Sequence, residues 1–146
     1  MSTTIPVSPY ETIHDLVYFP RMIDKIQLHA IGQLGEDYIP NLGKGFDARC
    51  CSFLGIDYTE LSAAVGSTLS KEQAWDWVLQ HGDSPTKEQI EVWNGYMTRR
   101  GWKDDLVETL QRRLKEGGFE HHNEIQTMFD FIDLDEGRPF RSKPLA

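Results

Sequence analysis

The sequence lacks any apolar run approaching the roughly 20 residues needed to span a bilayer. Its 146 residues include only two cysteines, Cys50 and Cys51, and these are adjacent, so they cannot form a disulfide framework. The first residues contain no charged segment followed by an apolar one, so no signal peptide is predicted. These absences argue against a membrane protein and against a disulfide-rich secreted domain, and we expect a cytoplasmic protein.

Basic residues are also scarce. The chain has 15 lysines and arginines against 23 aspartates and glutamates, a formal charge of −8. Nucleic acids and anionic membranes select basic surfaces, so we expect neither as a partner. A second copy of the chain is a partner that the sequence leaves open. The length fits one domain, and we expect a single helical domain over residues 1–146 with loose ends at residues 1–7 and 139–146.

The sequence does contain a series of helix signals separated by short breaks. Capping residues, first-turn prolines and terminal glycines favour eight helices, and no segment shows the sustained alternation of a strand. The predicted fold is therefore all-α, a compact single-domain bundle of about seven or eight short helices at mixed angles. The predicted helices cover approximately residues 8–18, 20–34, 46–54, 57–66, 70–81, 84–100, 103–116 and 123–134.

A row of cationic residues lies along the second predicted helix. Arg21, Lys25 and His29 recur every four residues at the edge of an apolar face, where stems can be buried while charged heads point into a cleft. One interpretation is a wall that binds an anion, with His29 as a proton carrier near neutral pH. The other is that the row forms ion pairs with acidic residues of a neighbouring helix.

A glycine-rich turn precedes the third predicted helix. Gly43 and Gly45 flank Lys44, and free N–H groups at a helix start favour an anion, although the spacing is not that of a P-loop. The alternative is a mobile loop that joins two helices. Asp47 follows in the first helical turn, where it favours the helix dipole or serves as an acid–base group. Arg49 is a further candidate for anion binding.

Three candidate residues come from the second half of the chain. Arg100 shares a helix face with Trp93, an arrangement typical of stacking, of an acidic partner or of ligand binding. Asp133 lies at the edge of the last helix's apolar face, where it either pairs with an arginine or acts as an acid or base. The five histidines are not at zinc-binding spacing, so neither a metal nor another cofactor is predicted.

Four segments of this sequence resemble a known family. "LVYFPRMIDKIQLH", "PNLGKGFDARCCSFLGIDY", "WNGYMTRRGW" and "FDFIDLDEGR" are similar to a small bacterial family of unknown function, number 5069 among such families. The resemblance covers about residues 8–138. It implies a small single-domain protein and carries over no reaction, cofactor or catalytic residue.

Two classes of function follow from these observations. The first is a protein that binds an anionic carboxylate or phosphate in a cleft, extending to a cofactor-independent lyase, isomerase or hydrolase. In that class the catalytic candidates are His29, Asp47 and Asp133. The second class is a non-catalytic interaction or regulatory module whose cations are structural ion-pair partners. The residues proposed to bind the ligand in the first class are Arg21, Lys25, Lys44, Arg49, Trp93 and Arg100.

Overall fold

Helices dominate the computed structural model, which describes residues 3–139. Over that range the chain forms seven α-helices, one 3-10 helix (Glu36–Asn41) and one two-stranded sheet. The prediction of an all-α fold with seven or eight short helices is confirmed, with the small sheet as an addition. None of the described helices has both the length and the apolar character to cross a membrane. The α-helices are α1 (Phe19–Ala30), α2 (Phe46–Leu54), α3 (Tyr58–Val65), α4 (Lys71–His81), α5 (Lys87–Arg99), α6 (Val107–Glu116) and α7 (Met128–Asp135).

The helix predicted over residues 8–18 is wrong, because this segment forms a β-hairpin. Strands β1 (Thr12–Ile13) and β2 (Leu16–Val17) pair antiparallel around a two-residue connection. The connecting residues His14 and Asp15 have φ angles of 47° and 70°. Positive φ at both central positions matches the twist of the flanking strands, so this turn favours a hairpin over a helix.

The capping signal that suggested a helix here is used in a local turn. The Ser8 hydroxyl accepts a hydrogen bond from the Tyr10 N–H at 3.1 Å. The Ser8 carbonyl accepts from the Glu11 N–H at 3.0 Å. Serine side chains bond nearby backbone groups in turns as readily as at helix starts, so the same residues fit both structures.

Helix α1 ends at Ala30, four residues before the predicted end at Leu34. Gly32 adopts a φ of 71°, and the Gln33 N–H donates to the Leu28 carbonyl at 2.8 Å. This pattern is a Schellman-type end, in which a left-handed glycine closes the last turn. Leu34 is nevertheless buried, as its apolar character predicted.

The starts of the later helices agree with the prediction to different degrees. Helix α4 begins at the predicted capping box, in which Ser70 and Gln73 exchange side-chain-to-backbone hydrogen bonds. Helix α5 begins later than predicted, because Thr86 and Gln89 form the capping pair. The last helix also begins later, since the buried Thr127 caps it by accepting from the Asp130 N–H at 3.2 Å.

The chain divides into two compact units, one ending at Ile90 and the other starting at Glu91. In the first unit, α1 packs against β1, α3 and α4, and the Phe19 and Trp75 rings meet edge to face at 5.3 Å. In the second unit, α6 packs against α7. That unit has a buried apolar cluster made of Leu110, Leu114, Ile125 and Phe131.

The prediction of a single domain with loose ends at residues 1–7 and 139–146 stays a prediction. Two backbone groups of the predicted N-terminal end are hydrogen-bonded within the first unit. The Thr4 N–H donates to the Gln33 carbonyl at 2.8 Å. The Val7 N–H donates to the Asp24 carboxylate at 3.0 Å. Most of the predicted C-terminal end, residues 140–146, and residues 1–2 lie outside the described range.

The contribution of the α4 capping box to stability can be tested by mutation. Replacing Ser70 with alanine removes the acceptor for the Gln73 N–H, so we expect a loss of about 1 kcal/mol in the free energy of unfolding. Urea denaturation followed by far-ultraviolet circular dichroism measures it. The control is Ser67→Ala in the exposed turn before the helix, which we expect to change stability by less than about 0.5 kcal/mol. Equal effects of the two substitutions would contradict the capping role.

Candidate functional site

Asp47, in the first turn of α2, is completely buried at the centre of a polar cluster. The Tyr18 hydroxyl donates to Asp47 Oδ1 at 2.6 Å, and Lys25 Nζ lies 2.8 Å from the same oxygen. Lys25 Nζ also donates to the Tyr18 hydroxyl at 2.9 Å. The Gly43 N–H donates to Asp47 Oδ2 at 3.0 Å. We call Tyr18, Lys25, Gly43 and Asp47 the Asp47 cluster.

Each member of the Asp47 cluster comes from a different part of the first unit. Tyr18 follows the hairpin with a φ of 79°, Lys25 lies in the middle of α1, and Gly43 precedes α2. Gly43 has a φ of +75°, and a Cβ there would lie 2.8 Å from the Tyr58 ring. Glycine is therefore required at this position, and its N–H serves the Asp47 carboxylate.

Burial changes the protonation of the groups around Asp47. The pKa of the Tyr18 phenol is raised well above its usual value by burial and then by the Asp47 carboxylate. Burial also raises the pKa of the Cys50 thiol, with further contributions from Cys51 and Asp47. The pKa of the Cys51 thiol is raised to about 12, mainly by burial and next by Asp47. Both thiols are thus protonated at neutral pH, which makes them poor nucleophiles.

Arg21 lies one turn before Lys25 and is almost completely buried. Its Nη1 donates to the Val7 carbonyl at 3.1 Å. The guanidinium carbon lies 5.8 Å from the centre of the Tyr38 ring, within range of a cation–π contact. Arg21 therefore ties the N-terminal segment to α1.

The third member of the cationic row differs from the other two. His29 lies in the exposed last turn of α1, and its side chain makes no hydrogen bond or ion pair with any residue from 3 to 139. Lys44 and Arg49, the other predicted anion-binding residues of this unit, are also exposed. The structure places Lys25 and Asp47 together, but it does not bond His29 to Asp47. The assignment of His29 as a proton carrier stays a prediction.

Arg100, in the second unit, binds two aspartates that follow it closely in sequence. Its Nη1 lies 3.0 Å from Asp104 Oδ2 and 2.9 Å from Asp105 Oδ1. The guanidinium carbon lies 5.0 Å from the centre of the Tyr96 ring. Burial lowers the pKa of Arg100, but the hydrogen bond to Asp105 and the charge of Asp104 outweigh it, so the pKa is raised. Trp93, its predicted neighbour on the helix face, is buried.

Asp133, the last catalytic candidate, is buried in α7 and has an arginine partner. Arg138 Nη1 donates to Asp133 Oδ1 at 3.2 Å, and it also forms an ion pair with Glu136. This pairing is one of the two roles that the sequence allowed for Asp133. Within residues 3–139, no group of three histidine, cysteine, aspartate or glutamate side chains is arranged to hold a metal ion.

Sequence reasoning missed a small pocket in the first unit, with a volume of about 260 Å³. It was missed because the hairpin that forms one side of the pocket was predicted as a helix. In the sequence, the polar Thr12 followed by the apolar Ile13 is an alternation of only two residues, which is too short to predict a strand. The pocket is lined by Val7, Glu11, Thr12, Ile13, Pro20, Lys71 and Glu72.

Comparison with known proteins identifies the family but no activity. The model of the family described as Domain of unknown function (DUF5069) matches residues 3–138, nearly the whole chain. The chain therefore belongs to this family, as its four distinctive segments indicated. No curated protein matches the sequence.

The Asp47 cluster predicts a large difference between two lysine substitutions. Replacing Lys25 with methionine leaves the Asp47 carboxylate buried without its cation, which we expect to cost about 3–5 kcal/mol in the free energy of unfolding. The control is Lys71→Met, which removes the more exposed Lys71–Asp24 pair and costs up to about 1 kcal/mol. Urea denaturation of both variants measures the difference. Similar losses in the two variants would show that the interior does not depend on Lys25.

The raised thiol pKa values predict slow cysteine labelling. At pH 8 a thiol with a pKa of about 12 is ionised in roughly one molecule in ten thousand, so we expect an aromatic disulfide reagent to label the folded protein very slowly. Unfolding in guanidinium restores thiols with an ordinary pKa, and both should then react at the rate of glutathione, which serves as the control. Rapid labelling of either thiol in the folded protein would contradict this prediction.

Proposed function

We propose that this chain is a non-catalytic interaction module whose buried cationic residues are structural ion-pair partners. The observation that carries the proposal is the 2.8 Å pair between Lys25 and Asp47 in the interior of the first unit. A ligand anion would have to compete with Asp47 for the same ammonium group. Breaking a buried pair costs about 3–5 kcal/mol, so binding an anion at Lys25 is unfavourable.

The other cations support the same proposal. Arg21 donates to a backbone carbonyl, and Arg100 lies between Asp104 and Asp105. Both arginines are buried, so their guanidinium groups need acceptors, and groups of the same unit supply them. Lys44 is exposed, and a solvated surface lysine is a weak anion site on its own.

Acid–base catalysis also finds little support in the geometry. A general base must lie within hydrogen-bond reach of the proton that it takes. Asp47 is buried, with Oδ1 held by Tyr18 and Lys25 and Oδ2 held by the Gly43 N–H. His29 is exposed and makes no bond to this cluster within the described chain. The hypothesis that the protein binds an anionic small molecule and turns it over through His29 stays a prediction.

A thermal-shift screen of anions separates the two classes of function. We expect inorganic phosphate, citrate and nucleotides to leave the melting temperature unchanged relative to sodium chloride at equal ionic strength. An anion present at 100 times its Kd would instead stabilise the fold by about 2.7 kcal/mol, which raises melting by several degrees.

The His29→Gln variant makes the screen decisive. A rise in melting temperature that saturates with anion concentration would overturn the interaction-module proposal. If that rise persisted in His29→Gln while turnover of the same compound disappeared, the catalytic hypothesis would replace it. His29 is exposed, so this substitution should leave the folded state intact.

A further inference from the structure

We infer that the pocket of the first unit binds an arginine side chain of a partner polypeptide. This inference deepens the proposed function by naming the chemistry of the partner, and it rests on that function. The pocket has a volume of about 260 Å³. Pockets for drug-sized molecules measure about 300–1,000 Å³, so this one is at the small end and has room for a single long side chain.

The pocket has apolar walls on a fixed frame. Ile13 and Pro20 are buried, and Val7 is half-buried beside them. The Val7 N–H donates to Asp24 at 3.0 Å, and the Val7 carbonyl accepts from Arg21 at 3.1 Å. Because both backbone groups of Val7 are held, this wall exists before a partner arrives, which lowers the entropic cost of binding.

Charge decides which side chain fits. Glu11 and Glu72 place two carboxylates among the lining residues, against one lysine, Lys71. The Lys71 ammonium lies 3.0 Å from the Asp24 carboxylate, which offsets its charge. By formal charge the lining is therefore net negative, with two carboxylates against one ammonium group, on a chain whose formal charge is −8. Such a field attracts cations and repels anionic ligands.

An arginine side chain meets both requirements. Its three-carbon stem packs on apolar walls while the guanidinium reaches carboxylates at the rim. The planar guanidinium can bind a carboxylate through two parallel hydrogen bonds. The Glu72 carboxylate already contacts His14 Nε2 at 2.9 Å through Oε2, and a carboxylate accepts about four hydrogen bonds, so capacity remains. Arginine is also enriched at protein interfaces, where lysine is depleted.

The test uses a minimal probe of the partner's side chain. The full-length protein, labelled with ¹⁵N, is titrated with the capped peptide acetyl-Ala-Arg-Ala-amide and monitored by chemical shifts. The matched control is the same peptide with citrulline, which keeps the shape of arginine but is uncharged. We expect saturable shifts centred on Ile13 and Glu72 with the arginine peptide, and at least fivefold weaker binding of the citrulline peptide. Equal binding of the two peptides, or no shifts at these residues, would overturn the inference.

Charge-removing variants locate the binding site. We expect Glu11→Gln and Glu72→Gln each to weaken binding of the arginine peptide roughly two- to fivefold, the range of a partly exposed ion pair. The control is Glu91→Gln, which removes the same charge from an exposed position of α5 outside the pocket. It should change the affinity less than either pocket variant. Equal weakening by all three would show attraction by net charge alone, and the assignment to the pocket would be wrong.

A third probe distinguishes a polypeptide from a free organic cation. N-Propylguanidinium carries the same three-carbon stem and head group without a backbone, and we expect it to bind more weakly than the peptide at the same residues. Tighter binding of N-propylguanidinium would overturn the polypeptide partner. If the arginine peptide fails while the anion screen stays flat, this inference is wrong and the interaction module stands. If anions bind, the proposed function itself is wrong.

Discussion

The buried pair between Lys25 and Asp47 is the interaction on which the first unit depends. A carboxylate without water is tolerated only when its charge and lone pairs are compensated. Asp47 meets this condition with Tyr18 and Lys25 on Oδ1 and the Gly43 N–H on Oδ2. The chain leaving the hairpin, helix α1 and the turn before α2 must therefore keep their positions for the carboxylate to stay satisfied. The requirement for glycine at position 43 follows from the same constraint and from the nearby Tyr58 ring.

The pairing of Lys25 with Asp47 also affects which charged groups remain available to bind a partner. Because Lys25 and Asp47 cancel each other's charge in the interior, the formal charge of −8 belongs to the rest of the chain. In the second unit the buried Arg100 lies beside Asp104 and Asp105, and Asp133 accepts from Arg138. Two cations that the sequence suggested as ligand-binding residues, Lys25 and Arg100, are thus paired with acidic residues of their own unit. Among the described residues, the first unit also contains a small pocket whose lining combines apolar side chains with the Glu11 and Glu72 carboxylates.

Local signals predicted much of the helical structure correctly. Helix α2 has the predicted bounds, and the Ser70–Gln73 capping box starts α4 where it was expected. These features depend on residues within one or two turns of each other, so the sequence contains the information directly. The hairpin was wrongly predicted because its strands are two residues long and its turn uses His14 and Asp15 in place of glycine. Such a short hairpin is stable only when packed against other elements, which no local pattern reveals.

The sequence by itself determined the helical class, the family and the apolar faces, and it placed Lys25 and Asp47 among the candidate residues. Only the tertiary structure decided that these two residues meet each other, 22 positions apart in sequence, and that His29 is exposed instead. Helical periodicity fixes which residues share a face, but it carries no information about the element that packs against that face. A charged side chain that is buried without water needs a partner of opposite charge. Once paired, it stabilises the fold and is not available to bind a ligand.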